Sequence, residues 1–267
     1  MAKEKILSFT VMYVLHVWIL CLDLVPPCLT GSVAGIPLGM VPDSVDDRYD
    51  GCETEMKEKV LNHYLQNELN KMKNFKNAWT TAKICAKKRI DMAKKDKLTL
   101  EHVMAICAYT AGNPSIYSEF NTAVRTNGNN YENFQFHALH YFLTDALHIL
   151  RKSKKKNLCY NTYRRTNLTF ERQRTKSMRF GQFASSSLSK DIHAGFGNKS
   201  CFQIKTCFGA YLKSYSALGD HEKEVLIPPF EKFKISRNQK KGNILNCEDL
   251  YILKSNGFES NLNCKAV

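Results

Sequence analysis

The stretch GDHEKEVLIPPFE, residues 219–231, decides how the second half of the chain is interpreted. Its apolar run at 225–227 has the composition of a short strand. The two prolines that follow mark a strand edge or a bulge, because proline cannot donate a hydrogen bond to a sheet. Side chains alternate along a strand, so Glu222 and Glu224 share one face if the extended region begins at Glu222. The stretch therefore predicts a late strand that opens with two carboxylates.

The residues before this stretch change from a helical to a strand period. Between 52 and 151 apolar residues recur at steps of three and four, most regularly at 56–79, and this spacing predicts amphipathic helices. The basic run at 151–156 is interpreted as a solvated hinge. After it, residues 202–208 alternate between apolar or small and polar side chains, as strands do. Helices followed by strands predict an α+β fold with segregated halves.

Residues 1–34 have the pattern of a secretory signal peptide. A short charged opening precedes an apolar run at 6–22, which Asp23 and two prolines end ahead of the small residues at 32–34. The alternative is an uncleaved membrane anchor, because the run approaches the length that spans a bilayer. We expect cleavage and secretion, since Asp23 and the prolines shorten the usable helix. The polar carboxyl end lacks the hydrophobic tail of a lipid-anchor signal, so we expect no GPI anchor.

Charge and cysteine content bear on partners and compartment. The 267 residues carry a formal charge of +14, which favours acidic surfaces such as glycans, membranes or nucleic acid and says nothing about fold. Of the 10 cysteines, Cys21 and Cys28 leave with the signal peptide, and the rest form an even set suited to an oxidising compartment. No two are spaced as CxxC, so we expect no structural zinc and no metal. The acceptor sequons at Asn167 and Asn198 agree with secretion.

Three separate segments carry residues suited to catalysis. Arg164 lies at the end of a probable strand, and Ser185 and Ser187 share one face of another. Alone, each is an ordinary surface arginine or polar strand edge, and an ExE triplet is an ordinary acidic turn. Together, Arg164, an S-x-S strand and the pair Glu222 and Glu224 form an ordered set.

With this set the chain resembles the vertebrate ecto-mono-ADP-ribosyltransferases, the arginine-specific enzymes of the R-S-E class shared with certain bacterial toxins. Further segments resemble that family in its order, at 46–52, 108–110, 120–125, 136–147, 179–185 and 224–231. The resemblance covers roughly residues 46 to 253, nearly all of the mature chain.

The resemblance implies a fold and a domain plan. We expect a helical amino-terminal half packed on a carboxyl-terminal β core of two small sheets that enclose an NAD cleft. Residues 35–267 then form a single catalytic domain, with a mainly helical part at 46–151, a mainly β part at 157–253 and a polar tail at 254–267.

The resemblance also assigns a role to each residue of the set, with NAD as substrate. Glu224 stabilises the oxocarbenium-like ribose that forms as nicotinamide leaves. Glu222 binds the acceptor guanidinium, which is protonated and a poor nucleophile, and withdraws a proton from it. Ser185 holds the Glu224 carboxylate and the ribose in register, and Arg164 binds the NAD phosphates.

Three further positions depend on the resemblance. Phe196 matches an aromatic that stacks on nicotinamide, and a core role is the alternative. Arg165 stands where the family has a glycine whose amide contacts nicotinamide, so its side chain is expected to restrict the backbone or to crowd the pocket, or to have no effect. Residues 215–221 match the turn that meets the acceptor protein, with Leu218 and Gly219 where family members carry an aromatic.

Disulfide pairing is implied by the resemblance as well. It pairs Cys52 with Cys247 and Cys159 with Cys207, and each bond closes a long loop. Four cysteines remain without an assigned partner, and two of them lie in helical segments where buried thiols are an alternative: Cys85, Cys107, Cys201 and Cys264.

The expected function is the transfer of ADP-ribose from NAD to arginine side chains of extracellular or cell-surface proteins, with release of nicotinamide. We expect a monomer with weak association with acidic glycans and no specific nucleic-acid partner. Two alternatives stay open: an NAD glycohydrolase, in which water replaces arginine, and a catalytically silent, secreted basic binding protein.

Overall fold

The computed structural model describes residues 35–153, 159–173, 176–191, 194–240 and 242–267. The predicted signal peptide, residues 1–34, and most of the lysines of the basic run lie outside the described residues. None of the helices in the described ranges has the length and apolar character needed to cross a bilayer.

The amino-terminal half is helical, as its period predicts. Its helices are α1 (Glu53–Lys59), α2 (Leu65–Lys71), α3 (Lys73–Lys87), α4 (Ile90–Lys95), α5 (Leu100–Thr110), α6 (Tyr117–Thr126) and α7 (His137–Lys152). A π-helical turn, Val60–Tyr64, joins α1 to α2, and a short 3-10 helix, Gly128–Asn133, precedes α7. Their apolar faces form one large core that also receives Phe183 and Leu226 from the β half.

The first turn of α7 is held by a carboxylate from another helix. Glu68 on α2 accepts hydrogen bonds from the backbone N–H groups of His137 and Ala138, at 2.7 and 3.1 Å. These are amides that an α-helix leaves without partners at its start. On the same helix, His140 is fully buried and its ring bonds the Tyr49 hydroxyl and the Val45 carbonyl. The buried Glu68 carboxylate and the buried His140 ring therefore both have hydrogen-bond partners because of how α7 packs.

The carboxyl-terminal half is built on strands, which confirms the α+β prediction. They are β2 (Tyr160–Thr166), β3 (Phe170–Arg172), β4 (Ser177–Arg179), β5 (Ala184–Ser187), β6 (Ser200–Thr206), β7 (Ala210–Tyr211), β8 (Glu224–Ile227), β9 (Glu231–Gln239) and β10 (Asp249–Phe258). The amino-terminal strand β1 (Ile36–Leu38) pairs with β3 as a separate two-stranded sheet. The other strands follow the order β4-β9-β10-β6-β2-β5-β8-β7.

The shortest ladder in this eight-stranded order is the one between β2 and β5, which divides the sheet into the parts β4-β9-β10-β6-β2 and β5-β8-β7. Strands β2 and β5 share one register pair among the described residues, Tyr163 opposite Ser187. A second apolar cluster combines side chains from β4, β6, β9 and β10 with Ala184 of β5 and Ile227 of β8. The two parts therefore share one apolar cluster and meet in the sheet at a single register pair.

A buried ion pair ties the first part of the chain to the last. Arg179 Nη1 lies 2.6 Å from Asp46 Oδ2, and both side chains are fully buried. Arg179 also donates to the carbonyl oxygens of Met40, Val41 and Glu259, while Asp46 accepts from the backbone of Asn261 and Leu262. Strand β10 extends to Phe258, so the tail predicted to begin at 254 begins later and is packed rather than free.

The disulfides correct one predicted pairing. Cys52 is bonded to Cys264 and not to Cys247, which is bonded to Cys201. Cys247 precedes β10, where Leu250 pairs with Cys201 in the sheet, whereas Cys264 lies at the far end of the tail beside Asp47. Strand β10 lies between Cys247 and Cys264 in the chain. Cys52, at the start of α1, is therefore bonded to the cysteine that follows β10 and not to the one that precedes it.

The other two bonds lie in different halves. Cys159 is bonded to Cys207, the pairing that the resemblance implies. Cys85 and Cys107 form a bond between α3 and α5, so the interpretation of these two as buried thiols is wrong. The bond lies next to the loop after β7, because Cys107 Sγ is 3.6 Å from the Tyr215 carbonyl oxygen.

Candidate active site

Arg164 bridges the point at which the sheet divides. Beyond the pair Tyr163 and Ser187, strands β2 and β5 no longer pair, and the Arg164 guanidinium connects them instead by donating to the Ser185 carbonyl oxygen at 2.8 Å. Tyr117 from α6 shares a second side-chain hydrogen bond with Arg164. Burial lowers the pKa of Arg164, but Tyr117, Tyr109 and Glu224 outweigh it, and the pKa lies above its ordinary value. The guanidinium is therefore a fixed cation.

Arg165 points away from this bridge, as expected for the next residue along a strand. Its guanidinium donates to the carbonyl oxygens of Leu245 at 2.7 Å and Lys190 at 3.3 Å. It lies on the side of β2 where Tyr163 packs on the Cys201–Cys247 cluster. The Arg165 side chain therefore does not crowd the space beside Arg164, and a contact of its backbone with nicotinamide stays a prediction.

Ser185 and Glu224 meet across adjacent strands. In the β5–β8 ladder Ser187 lies opposite Glu224 and Ser185 opposite Leu226, so Ser185 and Glu224 share a face as diagonal neighbours. The Ser185 hydroxyl hydrogen-bonds the Glu224 carboxylate, whose residue is 3% exposed. The register of two strands thus places the hydroxyl on the carboxylate.

The environment of Glu224 moves its pKa close to neutral. Burial is the main cause, and the nearby Glu222 charge adds to it, while the Ser185 and Ser216 hydroxyls and Arg164 oppose it. The balance raises the pKa of Glu224 to about 7. A carboxylate with this pKa titrates near neutral pH, and perturbed carboxyls of this kind cluster at catalytic sites.

Ser216 is a site residue that the sequence did not single out. Its hydroxyl hydrogen-bonds Glu224, and its carbonyl oxygen accepts from Arg89 Nη2 at 3.1 Å. Arg89 also donates to the carbonyl oxygen of Ser214 at 2.6 Å. Ser216 lies next to the short 3-10 helix Lys213–Tyr215, within the segment that the resemblance assigns to the acceptor turn. Only the folded packing of this turn against Arg89 shows that one of its residues reaches Glu224.

Two tyrosines from the helical half also belong to this site. The Tyr109 hydroxyl on α5 donates to the Phe183 carbonyl oxygen at 3.0 Å and accepts from Asn121 on α6. Its ring lies 5.1 Å from that of Tyr117. Arg164 and Glu224 are both close enough to influence the pKa of Tyr109, which burial raises well above its usual range. The segment 108–110 belongs to the resemblance, but its spacing gave no sign of this role.

Glu222 lies in a turn, which corrects the strand boundary. Strand β8 begins at Glu224, and Lys223 between the two has a φ of +45°. The alternation that placed both carboxylates on one face therefore does not apply. The Glu222 carbonyl oxygen accepts from the Ser187 hydroxyl at 2.7 Å, and Glu222 still raises the Glu224 pKa by its charge. Its own pKa is raised by burial.

The turn before the glutamates is fixed at its base and open at its tip. Tyr215 is fully buried, and its hydroxyl donates to Asp96 at 2.7 Å. Leu218 is 37% exposed, and Gly219 adopts a φ of +70° that glycine tolerates without strain. The segment thus presents a small apolar tip four residues before Glu222 in the chain.

The remaining predicted site residues are exposed to solvent. Phe196 ends the 3-10 helix Ala194–Phe196 before β6 and is 36% exposed, so it is not a core residue. The sequon residues Asn167 and Asn198 are exposed neighbours, since the Asn198 amide donates to Asn167 Oδ1 at 3.3 Å. Within the described ranges no three His, Cys, Asp or Glu side chains are grouped to hold a metal ion.

Comparison with known proteins identifies similar sequences. A family model described as NAD:arginine ADP-ribosyltransferase matches residues 38–250. Ecto-ADP-ribosyltransferase 5 of Bos taurus is 37% identical over 216 residues, which cover 77% of this chain and 67% of the relative. The Homo sapiens protein of the same name is 38% identical over 220 residues, covering 79% and 75%. The NAD(P)(+)--arginine ADP-ribosyltransferase 2 of Gallus gallus is 37% identical over 220 residues, covering 77% and 66%.

Solved structures are similar to this chain over most of its length. The crystal structure of the eucaryotic mono-ADP-ribosyltransferase ART2.2 has a TM-score of 0.71 and 34% identity, covering 86% of this chain and 98% of that chain. A mutant of ART2.2 in complex with NADH has the same TM-score at 35% identity and the same coverage. These similarities agree with the α+β fold that the sequence predicts.

Proposed function

Because the chain belongs to the NAD:arginine ADP-ribosyltransferase family, whose members use NAD as substrate, we propose that Arg164, Ser185, Glu222 and Glu224 form its catalytic site for transfer of ADP-ribose to arginine. One observation carries this assignment. Residues from three separate segments converge on Glu224, which is buried, hydrogen-bonded by two serines and influenced by both Glu222 and Arg164.

Glu224 is proposed to promote breakage of the bond between nicotinamide and ribose. As that bond lengthens, its electron pair leaves with nicotinamide, and the ribose develops oxocarbenium character. An ionised carboxylate in a water-poor site stabilises that positive charge strongly. Ser185 and Ser216 hold the carboxylate in place, and their hydrogen bonds favour its ionised form.

Glu222 is proposed to prepare the acceptor. It lies in the turn next to the exposed tip at Leu218, where a protein side chain has access. A carboxylate binds a guanidinium through paired hydrogen bonds and withdraws one proton as the nitrogen attacks the ribose carbon. The bond from nitrogen to ribose forms while that proton passes to Glu222. The raised pKa of Glu222 suits it to accept the proton.

Arg164 is proposed to bind the NAD phosphates, and Phe196 to stack on nicotinamide. The Arg164 guanidinium is already fixed by hydrogen bonds to Ser185 and Tyr117, so its side chain loses little conformational entropy when it binds an anion. Phe196 is exposed enough to receive an aromatic ring. The backbone amide of Arg165 is proposed to contact nicotinamide, as the family's glycine does.

The names of the relatives and the predicted signal peptide indicate where this protein acts and on which partners. Relatives carry the prefix "ecto" in their names, and we propose that this chain is likewise extracellular, secreted after removal of residues 1–34. The disulfides and the exposed sequon residues Asn167 and Asn198 are consistent with an oxidising, glycosylating route. Its acceptors are proposed to be arginine-bearing extracellular or cell-surface proteins, and the enzyme is proposed to act as a monomer.

The test is a single reaction of the secreted protein with NAD and agmatine, a small guanidinium acceptor. Nicotinamide, ADP-ribosyl-agmatine and free ADP-ribose are quantified together by liquid chromatography. The proposal predicts nicotinamide release with ADP-ribosyl-agmatine as the main product. If free ADP-ribose is the only product, the protein is an NAD glycohydrolase and the proposal is wrong. If no nicotinamide is released, the protein is a catalytically silent binding protein.

A further inference from the structure

Three lysines lie side by side on the outer face of the sheet. Lys254 on β10 is the register partner of Lys234 on β9 and of Lys205 on β6. The row continues with polar residues at both ends, because Ser177 on β4 pairs with Lys234 and Asn161 on β2 pairs with Lys205. We call the three lysines the lysine row. With strands about 4.8 Å apart, the five positions span about 19 Å.

The lysine row faces solvent. All three lysines are exposed, while their neighbours along the strands, Phe233, Ile204 and Leu253, are buried in the cluster between the two sheet parts. Arg164 pairs with Phe202, which belongs to that buried cluster, so it points to the opposite face from the lysine row. A ligand on the lysine row therefore leaves the catalytic site accessible.

The arrangement is unfavourable for the folded protein by itself. Like charges directly opposite one another in a sheet destabilise it, and Lys254 has such a neighbour on each side. Among the described residues, the lysines of the β half that form ion pairs are Lys199, Lys213, Lys232 and Lys240, and none of these belongs to the lysine row. Within the described ranges, no ion pair with a carboxylate therefore offsets this repulsion, and a polyanion is the kind of ligand that would relieve it.

We infer that the lysine row is a docking surface for a linear sulfated glycan. Ammonium groups at regular spacing match a chain of sulfate groups, and the exposed side-chain amide of Asn161 suits sulfate and sugar oxygens. The row contains no aromatic ring on which a nucleic-acid base would stack and no apolar side chain that would enter a membrane. This inference is independent of the catalytic assignment.

The test compares two variants of equal charge change. The row variant is Lys205→Gln/Lys234→Gln/Lys254→Gln, and the control is Lys73→Gln/Lys83→Gln/Lys87→Gln on the exposed face of α3. Binding of a size-defined heparin oligosaccharide is measured by titration at two salt concentrations. We expect the row variant to lose roughly tenfold or more in affinity and to show a flatter salt dependence, since fewer counterions are released. The control should stay close to the wild type.

Other results overturn the inference. Equal losses in both variants would show that net charge acts without a defined surface. No binding of heparin by the wild type, or tighter row-dependent binding of phosphatidylserine vesicles or duplex DNA, would reject the glycan. Heat unfolding checks the fold: the melting temperature of the row variant should be unchanged or higher, and a clear fall would make the lysines structural.

Discussion

The Arg164 guanidinium donates to the Ser185 carbonyl oxygen at 2.8 Å across the gap that opens where β2 and β5 stop pairing. This contact places a cation from one part of the sheet beside the serine that holds Glu224. Because the two strands are joined elsewhere at one register pair, the site forms at the division of the sheet and not on the surface of either part. Catalytic behaviour should therefore respond to residues on both sides of the gap.

Replacing Glu224 should separate catalysis from stability. Glu224→Gln is expected to lower nicotinamide release by at least about 10²-fold, because the charge that stabilises the oxocarbenium ion is lost. The folded-state pKa of about 7 exceeds the ordinary value of 4.5, so the folded state binds the proton more tightly and stability falls as pH rises from about 4.5 to about 7. Above pH 7 the variant should be more stable, by up to about 3 kcal/mol.

Urea unfolding of both proteins at pH 5 and pH 8, with nicotinamide release at pH 8, checks this pair of effects. At pH 5 most of the penalty is absent, so the two stabilities should lie close together. If Glu224→Gln is less stable than the wild type at pH 8, the prediction is wrong. The hydrogen bonds and the Arg164 charge then outweigh the cost of burying the ionised Glu224 carboxylate.

The pH profile of the wild type should report on Glu224. Activity is expected to rise through about pH 7, where the carboxylate becomes ionised. Ser216→Ala removes a hydrogen bond that favours the ionised form, so the midpoint should move to higher pH and the loss of activity should be largest below neutrality. Initial rates of NAD consumption across this range give the midpoints.

Ser186→Ala is the matched control for the serine variant. Its hydroxyl is also buried and bonds the Val225 carbonyl oxygen at 2.9 Å, away from the Glu224 carboxylate. This variant is expected to lose stability but keep the wild-type midpoint. Identical profiles for Ser216→Ala and Ser186→Ala would remove Ser216 from the site.

Arg165 is expected to matter for stability and not for NAD affinity. Arg165→Gly deletes the hydrogen bonds to Leu245 and Lys190 and places glycine in a strand, which should cost about 1–2 kcal/mol. NAD affinity, measured by calorimetry, should stay unchanged. Arg164→Lys on the same strand is the contrast, with affinity reduced roughly tenfold because the fork geometry is lost. Tighter NAD binding by Arg165→Gly would mean that the arginine obstructs the pocket through the backbone.

The corrected disulfide pairing has a direct chemical test. Digestion without reduction, followed by mass spectrometry, should give a peptide that links Cys52 to Cys264 and another that links Cys201 to Cys247. A peptide joining Cys52 to Cys247 would restore the pairing that the resemblance implies. The bond closes a separation of 212 residues, so Cys52→Ser/Cys264→Ser should cost about 4–5 kcal/mol by freeing the unfolded chain.

The sequence predicted the elements better than it predicted contacts between distant segments. The change of period from helix to strand located the two halves, because side-chain periodicity is a local property. The partner of Cys52 depends on where the tail returns after β10, and no local pattern encodes that. Ser216 was missed for the same reason: its link to Glu224 follows from how Arg89 holds the turn.

Strand boundaries were the second source of error. The spacing of Glu222 and Glu224 suggested one extended segment, but Lys223 adopts a left-handed conformation, so the strand begins only at Glu224. Such a conformation is unusual for a lysine, so its type gave no warning. The two carboxylates are still neighbours, through the turn rather than through alternation.

The most direct test of the account is the product ratio of the Glu222→Gln variant in a reaction with NAD and agmatine. If Glu224 breaks the nicotinamide bond and Glu222 prepares the acceptor, nicotinamide release should continue, while the product shifts from ADP-ribosyl-agmatine to free ADP-ribose. Loss of nicotinamide release in parallel with agmatine transfer, or an unchanged product ratio, would contradict the separate roles of the two carboxylates.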